Sequence, residues 1–447
     1  MTYSRRTALQ FIGATALGSI GLTTARVAEA GNHGDGGDGG DGGDGGDGGQ
    51  KDKGDIRKMG HSLLSDPPGG YAEEDIRSDG QYALMGSFTG PGGSFLVDIS
   101  NPTDPTEVHE FPTPSNGVRH ADVEFDRRDG LYYRTREGGD DDPDNDIPPN
   151  GVDVIDYGWS DGTPEDPVKA SRIPAGSTHN VHAHPEGDVL YTTEHHGVGV
   201  WDTSDPTDVT GGDVFGPEGD LHDMVVDPDK DLLHCAFIGG GFTGYVIMDI
   251  SDPMDPEEVG RFDYEGWPDY TEERLNNGEP GYENCHYANY DPERDLAYVG
   301  DEIGSMVPGG KHVFDIGWGD GSIEEPQHIG FTYSPNAEIM DESDEAFDWT
   351  GHNFDVITKG STTMLVSGDY HEGAVVYDVS DPMDPTATDQ YETDLKADEA
   401  NGAGFVGEAP MAWGVNYADE RDFTVVSDMQ TGIYVLKFTP SAAKRGD

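Results

Sequence analysis

Four histidines occupy one position of a repeating pattern. His222 stands five residues before Asp227, and His286 five before Asp291. His179 stands five before the His184-Pro185 turn, and His352 five before Ile357. His120 falls one residue out of step, before the turn at Asp126. Imidazole is a frequent transition-metal ligand near neutral pH, and several converging rings suit copper, zinc or iron. A second set of polar residues closes the next strand-like piece of each unit: Glu137, Glu194-His195-His196, Asp301-Glu302, Asp369-Tyr370-His371 and Asp428. Glu73 and Glu74 take the place of the histidine in the first unit, and Trp413 in the last. A carboxylate at such a position could accept the second N–H of a ligating imidazole, or act as a base toward a substrate. The same placement also fits a mechanical role, with each ring bonding the backbone of the adjoining unit.

These residues need elements that bring them together. An apolar strand ending in an acid and followed by a proline-bearing turn recurs along the chain. Phe95-Leu96-Val97-Asp98, Val198-Gly199-Val200-Trp201-Asp202, Tyr245-Val246-Ile247-Met248-Asp249 and Ala374-Val375-Val376-Tyr377-Asp378 are examples. Turns such as Ser251-Asp252-Pro253-Met254-Asp255-Pro256 follow, or a longer form, Gly158-Trp159-Ser160-Asp161-Gly162 and Gly317-Trp318-Gly319-Asp320-Gly321. Each unit holds four strand-like pieces, a to d, and the order repeats seven times. That predicts an all-β, seven-bladed propeller of four-stranded antiparallel blades over residues 55–440. The last unit supplies only three strands, Met411 to Phe438. The missing outer strand matches Arg57-Lys58-Met59-Gly60-His61-Ser62, which predicts a ring closed by the N-terminal strand. In that fold strand a lines the central channel. His120, His179, His222, His286 and His352 are then the candidate metal ligands, with Glu73, Glu137, Glu194, His195, His196, Glu302, Asp369, His371 and Asp428 around the channel rim.

The strand-and-turn units resemble the LVIVD repeat family of exported propellers, over about residues 56–438. The resemblance implies a fold and a location outside the cytoplasm, with no settled activity. The Asp249-Ile250-Ser251-Asp252-Pro253 segment and its copies are also distantly similar to the selenium-binding protein and methanethiol oxidase propellers, a group associated with copper. Two functions are therefore expected as alternatives. One is a binding module that takes a protein or small ligand on its top face, with a histidine metal site at the channel mouth. The other is a metal-dependent oxidoreductase, such as a copper thiol oxidase, at the same place. Zinc-dependent hydrolysis would share the ligands.

Charge narrows the partners. The 447 residues carry 89 Asp and Glu against 26 Lys and Arg, a formal net charge of −63. Nucleic acid and anionic membranes are excluded as partners, because both need a basic face. Acids spread over the whole length fit a surface built for molar salt, as in halophilic archaeal proteins. Ser4-Arg5-Arg6-Thr7-Ala8-Leu9, a short apolar stretch and Ala28-Glu29-Ala30 read as a twin-arginine signal removed after Ala30. An extracellular or cell-surface protein follows, without a membrane anchor after cleavage and expected to be monomeric. Residues 31–54 are rich in Asp and Gly and read as a flexible polyanionic linker. Cys235 and Cys285 fall in different blades, which argues against a disulfide; Cys285, beside His286, is a candidate soft ligand.

Overall fold

A computed structural model describes residues 56–438, apart from residues 66–68, 89–91, 114–117, 139–149, 177, 305–307, 337–349 and 401–408. The signal and linker assigned to residues 1–54 lie outside the described residues. Seven antiparallel sheets form seven blades, and the order within each runs from inner strand a to outer strand d. The fourth blade is typical: Asp220–Asp227, Leu232–Gly239, Phe242–Asp249 and Glu257–Asp263. In the second blade strand a is broken into Val118–Arg119 and Val123–Phe125, both paired to Leu131–Gly138. Among the described residues the α-helical segment is Glu272–Asn277, capped by Thr271 and Gly278.

The ring closes as the sequence predicts. Ile56–Ser62 pairs antiparallel with Gly432–Phe438, with Ile56 opposite Phe438 and Ser62 opposite Ile433. The pairing is irregular between Lys58 and Gly60. The same irregularity marks the outer strand of the other blades, for example between Glu258 and Gly260 against Ile247 and Met248. The bulge turns the outer strand toward the neighbouring blade. At Gly60 a Cβ would collide with the Pro102 carbonyl of that neighbour, so only glycine fits the approach.

The hydrophobic core is divided among the gaps between blades. Tyr191, Val200, Met224 and Val246 fill one gap. Ile357, Val366, Val426 and Tyr434 fill another. Met85, Phe95, Val425 and Val435 join the first and last blades. Strand alternation sends every second side chain of each blade to one neighbour and the rest to the other.

The acid that ends strand c organises the following turn. Asp156 accepts backbone N–H bonds from Gly158 (2.9 Å), Trp159 (2.7 Å), Ser160 (3.1 Å), Asp161 (2.8 Å) and Gly162 (3.1 Å). Asp315 holds Gly317, Gly319 and Gly321 in the same way. Five donors on one buried carboxylate make this a strong local lock. Asp156→Ala is expected to cost about 3 kcal/mol in urea unfolding, taking about 0.5–1.5 kcal/mol for each lost bond with partial rehydration. Asp161→Ala, at an exposed position of the same turn, should change stability by less than about 0.5 kcal/mol.

Candidate functional site at the channel mouth

The first residues of strand a stand around the channel axis. His179 and His222 have ring centroids 4.7 Å apart, His222 and His286 3.8 Å, and His286 and His352 4.5 Å. The four rings form an arc across the third to sixth blades. Trp413 continues it in the seventh, 4.4 Å from the His352 ring. Phe88 packs on Trp413 at 5.4 Å and carries the Arg119 guanidinium on its face at 5.1 Å. Tyr370 lies 5.2 Å from His352 and 6.0 Å from Trp413.

The nitrogens of these rings are used unequally. His222 Nδ1 bonds the carbonyl of His286 at 3.1 Å, and His352 Nδ1 bonds the carbonyl of Trp413 at 2.8 Å. Each of those carbonyls belongs to the next blade, so the rings do lock adjoining blades. A ring that donates from Nδ1 presents Nε2 as a lone-pair donor, the form a metal requires. His352 Nε2 is buried without a hydrogen-bond partner, and so are His286 Nδ1 and Glu302 Oε2. His286 Nε2 stands 3.5 Å from Glu302 Oε2. One ligand atom from each of His286, Glu302 and His352 lies within 4.8 Å of the others, the one such group among the described residues.

Burial keeps His222, His286 and His352 neutral. Burial, followed by the neighbouring His179 and His352, pushes His222 well below its ordinary value. Burial and the rings of His222 and His352 do the same to His286. Burial brings His352 to about 3, with Lys311 contributing. Burial raises the Glu302 carboxyl to about 7. At the other end of the arc His179 Nδ1 contacts Glu137 Oε1 at 2.8 Å, and Arg119 clasps both oxygens of Glu137 at 2.9 and 2.6 Å. Burial would raise Glu137, but Arg119 and His179 outweigh it and hold the carboxyl at about 2. Glu137 is therefore a fixed anion beside the arc.

The remaining sequence candidates serve other ends. His120 is one residue out of step, and with a two-residue side-chain period its ring turns away from the arc. It is fully buried, with Nε2 at 2.6 Å from Thr113 Oγ1 and Nδ1 at 2.6 Å from the Thr135 carbonyl. Both nitrogens are thus spent on protein partners. Asp428 accepts from Thr393, Met411, Gln430 and Thr431, and so shapes a turn. Asp369 accepts from Ser367 and Tyr377, with Lys311 at 3.6 Å. Glu194 accepts from the Gly176 backbone and from Thr192. His195 is exposed and pairs with Asp220 at 3.0 Å, and His196 is exposed. His371 sits in a left-handed turn at φ 60° with its N–H on the Pro410 carbonyl. Cys285 is fully buried in the apolar gap beside Tyr264, and burial holds its thiol protonated. It takes no place in the arc, and both cysteines are free thiols.

The residues after the histidines were not singled out from sequence, yet they close the channel. Asn353 Nδ2 donates to Glu73 Oε2 at 2.6 Å and reaches Asp223 Oδ2 at 3.4 Å. Asn180 Nδ2 donates to Asp223 Oδ2 at 2.9 Å. Glu73 therefore joins a cross-channel plug beneath the arc. The His-Asn and His-Asp pairs at 179–180, 222–223 and 352–353 were the available signal. Lys311 was also missed. It is buried, donates to the His352 carbonyl at 3.1 Å, and is the second residue of the strand Gly310–Asp315, without a motif.

Beyond the plug lies a chamber of about 350 Å³. Glu73, Glu74, Asp75, Asp122, Glu124, Asp223 and Asp355 line it, with Asn289, Asn353 and Asn416. Burial raises Glu73, Glu74, Glu124 and Asp223 well above the usual carboxyl range. It raises Asp75 and Asp122 to about 7 and Asp355 to about 6. A raised carboxyl binds protons in the folded state that the unfolded chain has already released. Its stabilisation is complete below about pH 4 and is lost as pH rises through 6 to 7. The buried histidines, lowered from 6.5, oppose this at more acid pH, so calorimetry in chelator at constant salt should show Tm falling from about pH 6.5 to pH 8. Asp122→Asn should flatten that slope.

The strand-and-turn units match the LVIVD repeat over residues 69–113 and 235–264, which fall in the first and fourth blades. The chain carries LVIVD repeats. No curated protein matches the sequence. Among solved structures, the chain is similar to a protein from Lactobacillus plantarum. The identity is 12%, covering 77% of this chain and 88% of that one, with a TM-score of 0.53. It is also similar to the β-propeller domain of Cps50 (Swd1) from Myceliophteria thermophila. Here identity is 10%, with 83% and 97% covered and a TM-score of 0.52. At such identities these likenesses speak for the propeller fold alone. No helix among the described residues is long and apolar enough to cross a membrane.

Proposed function

We propose that this LVIVD-repeat propeller is an exported binding module that holds a transition metal at its channel mouth. His286, His352 and Glu302 are the ligands, and His222 completes the arc beside them. One observation carries the reading: one ligand atom from each of the buried residues His286, Glu302 and His352 lies within 4.8 Å of the others. Buried polar atoms are nearly always satisfied, so the unpartnered His352 Nε2 and His286 Nδ1 on two of these rings favour a ligand there. Neutral imidazoles with one carboxylate suit zinc, iron or copper. Trp413 and Tyr370 supply an aromatic wall on which a small ligand or a partner's side chain can rest.

A second reading has its own support. Two imidazoles and one carboxylate leave coordination positions open, as in catalytic zinc and non-haem iron sites. A metal-dependent oxidoreductase would use those positions, with a thiol as the substrate class the distant resemblance suggests. Elemental analysis of protein recovered after export tests both. About one zinc, copper or iron per chain, removable by chelator, supports the site. A redox-active spectrum with metal-dependent turnover favours the oxidoreductase, and silence in both leaves the binding module. Metal-free protein that takes up none of the three ions overturns the proposal.

A further inference from the structure

The plug divides the channel, and the chamber below it has a chemistry of its own. Seven carboxyl side chains line the chamber, and neither lysine nor arginine is among the lining residues. His182 is the one basic side chain there, and burial keeps it neutral down to about pH 4. Three of the acids are fixed by backbone donors of the next blade. Asp75 accepts from Phe125 N at 2.7 Å, Asp122 from Val181 N at 2.7 Å and Asp355 from Tyr417 N at 2.8 Å. Their positions are set by the blades themselves.

Glu74 is different. It is 1% exposed, and neither carboxylate oxygen has a partner at good hydrogen-bond geometry, although the Asn416 amides act on its charge. Asn416 Nδ2 donates to the Glu74 carbonyl at 3.0 Å. Asn353 Oδ1, also lining the chamber, has no partner either. Oxygen atoms left over in an acid-lined space are the donor set of a hard cation. The chamber is too wide for direct caging, because no three carboxylate oxygens there converge as the histidine-mouth ligands do. Its volume equals on the order of ten waters, enough for an ion with its hydration shell.

We propose that the acid chamber binds one hydrated divalent cation of the magnesium class, held through water by Glu74, Asn353 and the fixed acids around them. Hard oxygen donors below the plug and imidazoles above it give the two sites opposite preferences.

The test uses the full chain, stripped with chelator and kept at constant ionic strength in KCl. MgCl2 is titrated, with CaCl2 in parallel, and followed by calorimetric heat and by Tm. The expected result is saturable uptake of one ion per chain, with Tm rising several degrees through preferential binding to the folded state. Glu74→Gln should weaken affinity at least tenfold while leaving Tm in chelator equal or higher, since it removes an unpaired buried carboxylate. Asp122→Asn should weaken binding in the same direction and keeps the proposal testable if the first variant folds poorly. His286→Ala should leave the titration unchanged. No saturable binding to the unaltered protein overturns the proposal. So does unchanged affinity in both acid variants, or loss of the response in His286→Ala. The first outcome would mean that protons alone neutralise the chamber.

Discussion

His286→Ala is expected to abolish stoichiometric binding of zinc, copper or iron, lowering affinity by at least a hundredfold. The expectation follows from the unequal use of the rings. His286 makes no hydrogen bond of normal length through its side chain, since Nδ1 is unpartnered and Nε2 stands 3.5 Å from Glu302. Truncating it therefore breaks no lock between blades. His222 is the opposite case, with Nδ1 on the carbonyl of the next blade. His222→Ala should lower stability by about 1 kcal/mol for the lost bond, more if the cavity left behind does not collapse. Its effect on metal affinity should be smaller than that of His286→Ala. If the histidines are only locks, the order reverses: His222→Ala damages the fold and His286→Ala changes nothing measurable by calorimetry or metal titration. Glu302→Gln gives a third point. It keeps the shape but removes the charge, and should cost roughly ten- to a hundredfold in metal affinity.

Removing the chain up to residue 62 is expected to cost the protein its soluble, cooperatively folded state. Ile56–Ser62 is a full outer strand, paired along Gly432–Phe438 through Ile56–Phe438, Arg57–Lys437 and Ser62–Ile433. Without it the strand Gly432–Phe438 becomes an open edge of apolar residues, Ile433, Val435 and Leu436 among them. An exposed apolar edge templates pairing with a second molecule. Ile56 would also leave the cluster shared by the sixth and seventh blades. Light scattering and urea unfolding at matched salt should show association and a broadened transition. A truncation ending at residue 54 retains the strand and should behave as the full chain. If both truncations unfold alike, with full cooperativity, the ring is not held shut by this strand.

Much of this fold was legible because propellers repeat their chemistry. The acid at the end of strand c and the proline turn after it mark each blade. The three-stranded last unit pointed directly to Ile56–Ser62. The arc of His179, His222, His286 and His352 was legible for the same reason, since equivalent positions of successive blades must face one axis. The strand-b ends were less informative. Asp369 and Asp428 have the residue type of a channel acid, but their oxygens are spent on Tyr377, Ser367 and turn backbone. Residue type does not reveal where a carboxylate's hydrogen bonds go. His120 shows how sharply a one-residue offset acts, turning the ring from the arc to Thr113 and Thr135. The plug and the chamber stayed hidden because they are made between blades far apart in sequence. Glu73 and Asn353 meet across 280 residues.

The Glu73–Asn353–Asp223–Asn180 bridge has a consequence for how such a protein can change over time. It makes the molecule a two-ended vessel rather than a tube. A solute entering from the imidazole end meets a bridge of amides and acids before it reaches the other side. If both proposed sites hold, each end could acquire or lose its ligand with those four side chains standing between them.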